Sequence, residues 1–251
     1  MIMTSSTSSP EPFWGIRSRN YDRLFWVRDG DYLAAILDMM DLRPEHLVLD
    51  VGTGTGVVAR AIKDRVRHVV ALDPSGEMLQ QGSWEGISVL RWDISDAVFA
   101  PGIFDRVVAR MVLHHMEGSL GAALRRCYEV LKPEGRLVVA EALPPSEDEE
   151  VVRWWTEMFR LKENRIVFSL GFLWMLLTEH GFRNIRLREN WIRDFSVTNW
   201  LQNSGLPEER QKEIIETHRA APPAVQKAHR MRWVEGDCLI RSRNLILSGK
   251  K

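Results

Sequence analysis

The stretch LVLDVGTGTGVVA, residues 47–59, sets Gly52, Gly54 and Gly56 on alternate positions between an apolar β-branched run and the first residues of a helical pattern. Glycine lets backbone approach a ligand closely because no Cβ stands in the way. The helix that follows starts with unpaired N–H groups, a favourable place for negative charge. Three carboxylates accompany this turn: Asp50 just before it, Asp73 in LDPSG and Asp93 in RWDIS. A carboxylate ending the neighbouring strand can accept both hydroxyls of a ribose. One after the next strand can accept from an exocyclic amine. His114 and His115 stand side by side further along, and an imidazole titrating near neutrality suits removal of a proton from a phenol or an enol-like carbon acid. The pattern is a cradle for a nucleoside, with a candidate base beyond it.

Three ligands compete for that cradle. A phosphate-binding P-loop closes with Gly-Lys-Ser/Thr, but Gly56 is followed by Val57-Val58, which excludes it. A dinucleotide fingerprint places its third glycine or alanine at position 57, where valine stands and opposes close helix packing over a pyrophosphate. S-adenosylmethionine has no phosphate. Its zwitterionic methionine end and ribose call for backbone contacts and carboxylates, and the sequence supplies both. Asp50 can orient the turn or face the ligand's ammonium group.

The elements that must position these residues follow from hydrophobic periodicity. Strands are expected at Leu47–Val51, His68–Leu72, Ile87–Leu90, Phe104–Ala109 and Arg136–Glu141. Helical stripes run through Val57–Ile62, Met78–Leu79 and Leu120–Leu131, the last closed by Lys132-Pro133-Glu134-Gly135. Alternating strands and helices of this rhythm imply an open, mostly parallel α/β sheet with right-handed crossovers. Ligands bind outside the carboxyl ends of such strands, which puts the glycine turn, Asp73, Asp93 and the segment after Ala109 on one rim. Upstream, FWGIRSRNYDRLFWV suits an amphipathic helix and Asp31–Met40 a second. Downstream, Val151–Lys162 reads as a helix, Ser169 caps another that buries Leu173, Leu176 and Leu177, and Asn184–Glu189 is strand-like. Helical material is expected from Trp191 to about Arg232, and Cys238–Leu247 as a final strand.

With those elements in order, VLDVGTGTG, ALDPSGEML, RWDISD, FDRVVARMVLHHM and LKPEGRLVVAE together resemble the class I S-adenosylmethionine-dependent methyltransferases. They are most similar to the ubiquinone/menaquinone-biosynthesis C-methyltransferase type. The likeness covers roughly residues 17–141. It implies an α/β, Rossmann-like sheet, mostly parallel with the last strand antiparallel, carrying an N-terminal lid helix and a C-terminal helical elaboration. It also implies S-adenosyl-L-methionine as cofactor and S-adenosyl-L-homocysteine as product. By resemblance, Asp50, Gly52, Thr53, Gly54 and Gly56 form the methionine-side loop, Asp73 takes the ribose, and Pro74 and Met78 border the adenine. Asp93 with Ile94 reads the adenine edge, and backbone at Arg110 lies beside the methionine end. Related phosphobase methyltransferases use a histidine of the LHH segment with an N-terminal tyrosine. His114, then His115, and Tyr21 are the matching catalytic candidates, Tyr21 also covering the cofactor. A hinge role for LHH and a packing role for Met78 and Ile94 are the plainer alternatives.

Composition narrows the acceptor. Lysine plus arginine and aspartate plus glutamate number 34 each, so net charge gives no reason to expect a nucleic acid partner. The segment Ala109-Arg110-Met111-Val112 lacks the Pro-Pro-aromatic motif of exocyclic-amine methylation, and Cys127 falls on a buried stripe. No histidine–carboxylate spacing resembles a metal site. No apolar run is long enough for a membrane span. Two cysteines outside any CxxC, without a visible signal peptide, indicate reduced thiols and a cytoplasmic protein. The ten tryptophans fill core gaps or line an acceptor pocket for a flat, hydrophobic molecule. Arg153, Arg160, Lys162 and Arg165 could pair with an acidic substrate, although on a helix such charges usually form a solvated face. The expected organisation is a disordered arm over 1–12, lid helices over 13–41, and a methyltransferase domain over 42–251 with a helical insertion at about 191–232. The leading activity is C- or O-methylation of an aromatic or quinone-like small molecule. A non-catalytic binding or scaffold protein and a nucleotide-dependent oxidoreductase stand as alternatives, and a homodimer is compatible with the sequence.

Overall fold

The structure, a computed structural model, describes residues 12–251, with side chains from residue 15 onward. Apart from Pro12, which opens the first helix, the arm expected over 1–12 lies outside the described residues, as does the side chain of Trp14. The sheet contains β1 (Leu47–Val51), β2 (His68–Leu72), β3 (Ile87–Leu90), β4 (Phe104–Arg110), β5 (Leu131–Leu143), β6 (Arg183–Ser196), β7 (Arg232–Val234) and β8 (Asp237–Lys250). Its order is β3-β2-β1-β4-β5-β8-β6, with β7 paired to β8. The strands β1 to β5 pair in parallel, whereas β8 runs antiparallel between β5 and β6. The final strand is therefore antiparallel, as the sequence implies.

Strand alternation sorts side chains to two faces. Val48, Val69, Val108 and Val138 face α2 (Gly30–Met40) and α3 (Val57–Ile62), meeting Ile36, Met40, Ala59 and Ile62. Leu49, Val51, Val107 and Val139 face α5 (Leu120–Val130) and α7 (Leu170–Glu179), meeting Leu124, Cys127, Leu173 and Leu177. Covering both faces is what a parallel sheet of near-continuous apolar strands requires. Asp29 caps α2 by accepting from Tyr32 N–H, and Ser169 caps α7 by accepting from Phe172 N–H. Strand order reverses between β2-β1 and β4-β5, so the crevice opens at the carboxyl end of β1, where the glycines lie.

Three expectations need correction. The single helix expected over FWGIRSRNYDRLFWV ends at Ser18 as α1 (Pro12–Ser18), and two 3-10 turns follow, with Leu24 extended between them. Tertiary ties break the helix: Arg17 pairs with Glu163 at 2.9 Å, and Asp22 accepts from Thr55 at 2.6 Å. The second expected lid helix, α2, packs in the layer under the sheet, and Leu24, Trp26 and Val27 of the preceding segment reach into the same layer. The helical insertion does not start at Trp191. β6 carries Trp191 through Ser196 opposite β8, and the helices α8 (Val197–Gln202), α9 (Glu208–Arg219) and α10 (Pro223–His229) begin only after it. The strand continues because Ile192 and Phe195 point into the core beneath α6 (Glu149–Lys162).

Candidate active site

The glycine turn is built from left-handed backbone. Gly52, Gly54 and Gly56 have φ of 63°, 59° and 85°, a region that costs an L-residue roughly 1–2 kcal/mol. A Cβ at Gly52 would lie 2.2 Å from Val112 Cγ2, and one at Gly54 would lie 3.1 Å from Met78 Cε. Asp50 braces the turn from beneath: its Oδ2 accepts from Thr53 Oγ1 at 2.7 Å and from Ala59 N–H at 3.1 Å. Burial pushes its carboxyl up to about 7. Of the two roles open to Asp50, orienting the turn is the one its bonds serve. Asp73 faces the turn, accepting from Gly54 N–H at 2.8 Å through Oδ2 and from Ser75 N–H at 2.8 Å through Oδ1. Burial raises it to about 6. Each oxygen keeps a further lone pair for a ligand hydroxyl.

The flanking residues divide. Met78 is buried against the turn, Pro74 is exposed, and Asp93 accepts from Ser95 N–H and Oγ at 2.8 and 2.6 Å. Ile94 packs its side chain into the core with Val51, Leu72 and Leu113, so only its backbone can read a base edge. Arg110 does more than lend backbone. Its Nη2 donates to the carbonyls of Trp26 and Val27 at 3.2 and 3.3 Å, and its guanidinium lies over the rings of Trp26 and Tyr32. It is a strut between β4 and the lid. Its Nε is a buried donor without a hydrogen-bond partner, within electrostatic reach of Asp50 and beside Tyr32. Three left-handed glycines, a carboxylate with lone pairs to spare and this donor fit the S-adenosylmethionine expected from the sequence.

Beyond the lid lies a cavity of about 820 Å³, counted to its open mouth, whose lining includes Tyr21, Trp26, Met111, His114, His115, Trp155, Phe159, Phe195 and Trp200. Tyr21 also reaches within 3.9 Å of the Cβ position at Gly54, so it touches both turn and cavity. Burial raises its phenol above the ordinary value, keeping it a donor rather than a base. His114 is buried, and its Nδ1 lies 2.7 Å from Glu141 Oε2, while Glu141 Oε1 accepts from Val112 and Leu113 N–H at 3.1 and 2.8 Å. Burial raises Glu141 to about 7 and holds His114 and His115 well below their usual value. The two imidazoles are 3.9 Å apart. Donor atoms of His114, His115 and Glu163 converge within 4.8 Å, a grouping that sequence spacing does not reveal. Glu163 is already paired with Arg17, Lys162 and Arg165, and three cations oppose a fourth, so we assign this grouping no metal.

Residues 20–187 match the family model described as a methyltransferase domain. The chain belongs to this methyltransferase family. It is 26% identical over 198 residues to the uncharacterised methyltransferase YcgJ of Bacillus subtilis, covering 76% of this chain and 77% of that one. The YcgJ crystal structure superposes with a TM-score of 0.77 at 21% identity, over 88% of this chain and 98% of that one. A demethylmenaquinone methyltransferase of Thermotoga maritima is 33% identical over 112 residues, 43% of this chain and 48% of the relative, so the match spans about half of that enzyme. A phosphoethanolamine N-methyltransferase of Haemonchus contortus, solved with S-adenosyl-L-methionine, shares the fold with a TM-score of 0.60 at 17% identity, covering 93% of this chain and 57% of that one.

In this methyltransferase the sequence-derived residues cluster as two groups joined by Tyr21. Asp50, the glycines, Asp73, Met78 and Arg110 surround the turn; His114, His115 and Tyr21 reach the cavity. Lys162 and Arg165 do not form a solvated face. Their side chains are 1% and 3% exposed, drawn inward to Glu163; Arg153 and Arg160 do stay exposed. Three residues escaped the sequence reading. Glu141 stood in the recognised LVVAE strand, and a lone acid ending an otherwise apolar run was the available signal. Asp22 gave none, since Thr55 is 33 residues away; Glu163 stands beside Lys162 and Arg165, but the Arg17 that also meets it is 146 residues away.

Proposed function

We propose that this methyltransferase transfers a methyl group from S-adenosylmethionine to a carbon or oxygen of an aromatic or quinone-like small molecule held beneath the lid. The observation that carries the reading is Tyr21, which borders the glycine turn on one side and an aromatic-lined cavity on the other. The likeness to a demethylmenaquinone methyltransferase supports a quinone-like acceptor. When bound, S-adenosylmethionine supplies an electrophilic methyl group on a sulfonium. Gly52, Thr53, Gly54 and Gly56 would line its methionine side, Asp73 would hold the ribose, Met78 and Asp93 would border the base, and Arg110 would meet the methionine carboxylate.

The chain's own contribution is alignment, dryness and a proton acceptor. Aligning two reactants can lower a barrier by roughly 7–11 kcal/mol. Trp26, Trp155, Phe159 and Trp200 wall the cavity with flat apolar surface and exclude water. Tyr21 donates its O–H toward the acceptor. With Glu141 ionised, His114 gives its Nδ1–H to that carboxylate and presents the Nε2 lone pair to take the acceptor's proton, a contribution of about 10²–10⁴ in rate. The test is turnover: incubation with S-adenosylmethionine and a panel of phenols, hydroquinones and naphthoquinols should release S-adenosylhomocysteine with at least one of them. A panel that yields product only with alkyl amines would contradict the aromatic reading.

A further inference from the structure

The acceptor cavity contains a charged corner that the proposed chemistry does not use. Arg165 follows three residues after the end of α6, its Cζ 4.4 Å from the Phe159 centroid and 5.1 Å from that of Trp155. Its side chain is 3% exposed, and its Nη1 sits 3.5 Å from Glu163 Oε1. The other edge of the guanidinium is unsatisfied: Nε and Nη2 are both buried with no hydrogen-bond partner. The hydrogens on these two nitrogens project side by side, the spacing that matches the two oxygens of a carboxylate. Leaving two charged donors unpaired out of water is strongly unfavourable, so the edge is suited to meet an anionic acceptor. Charge points the same way. Arg17, Lys162 and Arg165 converge on the carboxylate of Glu163, and Glu141, the other acid within electrostatic reach of Arg165, is already engaged by His114 and two backbone amides.

We propose that the acceptor is an aromatic carboxylic acid whose carboxylate docks bidentately on the Nε/Nη2 edge of Arg165, with its ring against the cavity's aromatic wall. This rests on the reading of the cavity as the acceptor pocket. A carboxylate is chosen because its two oxygens match the two parallel N–H donors of this edge, and aryl phosphates are the competing outcome of the test. Arg165 is thereby a specificity residue, holding the acid so that the ring's reactive atom faces the methyl group.

The experiment uses the full chain saturated with S-adenosylhomocysteine, titrated with hydroxylated benzoic and naphthoic acids, each beside its primary amide and its aryl phosphate counterpart. Binding is read by calorimetry and by quenching of the cavity tryptophans. The expected result is at least one acid bound tenfold or more tighter than its amide, with that preference lost in Arg165→Gln and reduced in Arg165→Lys. Both variants should keep wild-type S-adenosylhomocysteine affinity, which shows that they fold. Acids bound no better than amides, no acid bound at all, tighter binding of aryl phosphates, or a preference that survives Arg165→Gln would each overturn the assignment. Should Arg165→Gln fail to retain S-adenosylhomocysteine, the acid-over-amide ratio in the wild type and Arg165→Lys decides alone. If the wild type itself fails to bind S-adenosylhomocysteine, it is the cofactor reading that falls.

Discussion

Each oxygen of Asp73 accepts one backbone N–H, from Gly54 and from Ser75, so this carboxylate fixes the turn and the following cap while still offering lone pairs to a sugar. Asp73→Ala should weaken S-adenosylhomocysteine binding roughly a hundredfold, since hydrogen bonds to a charged group contribute about 1.5–3 kcal/mol each; titration calorimetry measures it, and unchanged affinity would contradict the role. The His114–Glu141 pair makes a pH statement. Glu141 is raised to about 7, and below that value the extra proton on the carboxyl is donated to Nδ1, leaving Nε2 protonated and unable to act as a base. Turnover should therefore rise as pH climbs through about 7 and level off above it. Lys162, lowered to about 7 by burial and neighbouring cations, titrates over the same range, so Glu141→Gln is the control. That variant should lose ten- to a hundredfold in turnover and flatten the profile while S-adenosylhomocysteine affinity stays constant. Asp73 was readable from its place after a strand, but the orientation of His114 was not, because it depends on an acid 27 residues away.

The lid is the element on which the two halves of the site depend. It is short and irregular, held by a few directed bonds rather than by its own helix. Asp22 accepts from Thr55 within the glycine turn and faces Arg60, Phe25 N–H donates to Asn199 in α8 at 2.9 Å, and Arg17 reaches Glu163. Losing one such bond should free the lid without unfolding the sheet. We expect Asp22→Ala to speed S-adenosylhomocysteine release roughly tenfold, in line with about 1–1.5 kcal/mol for a lost hydrogen bond, with the melting temperature of the free protein shifted little; stopped-flow dissociation checks it. The parallel strands were legible because they are buried on both faces, and an apolar run bounded by turn residues has one reading. The lid was not, since its amphipathic spacing promises a helix that long-range partners interrupt. The β6 strand was underestimated for a related reason. Residues 191–196 earn strand geometry from pairing with β8 about 50 positions later, which local pattern does not contain.

At the scale of the molecule, the proposed arrangement puts both ligands at one rim of a two-faced sheet: the nucleoside over the reversal of strand order, the acceptor toward β5, β8 and α6. A ligand that binds only the folded state stabilises it by mass action, about 2.7 kcal/mol at a hundred times its dissociation constant. For a chain of 251 residues this corresponds to a rise of roughly 5–10 °C in melting temperature. S-adenosylhomocysteine should produce it in a thermal-shift assay and NADH should not. Among the described residues no helix is long and apolar enough to cross a membrane. Family and architecture were within reach of the sequence because five short motifs recur in fixed order. The aromatic-lined cavity was not, because its walls come largely from α6, β6, α8 and β8 and meet only in three dimensions. The most direct measurement of the whole account is a crystal structure with S-adenosylhomocysteine bound. The account predicts the ribose on Asp73 and the sulfur facing the cavity between Tyr21 and His114; a ribose bound away from Asp73, or a sulfur turned from that cavity, would contradict it.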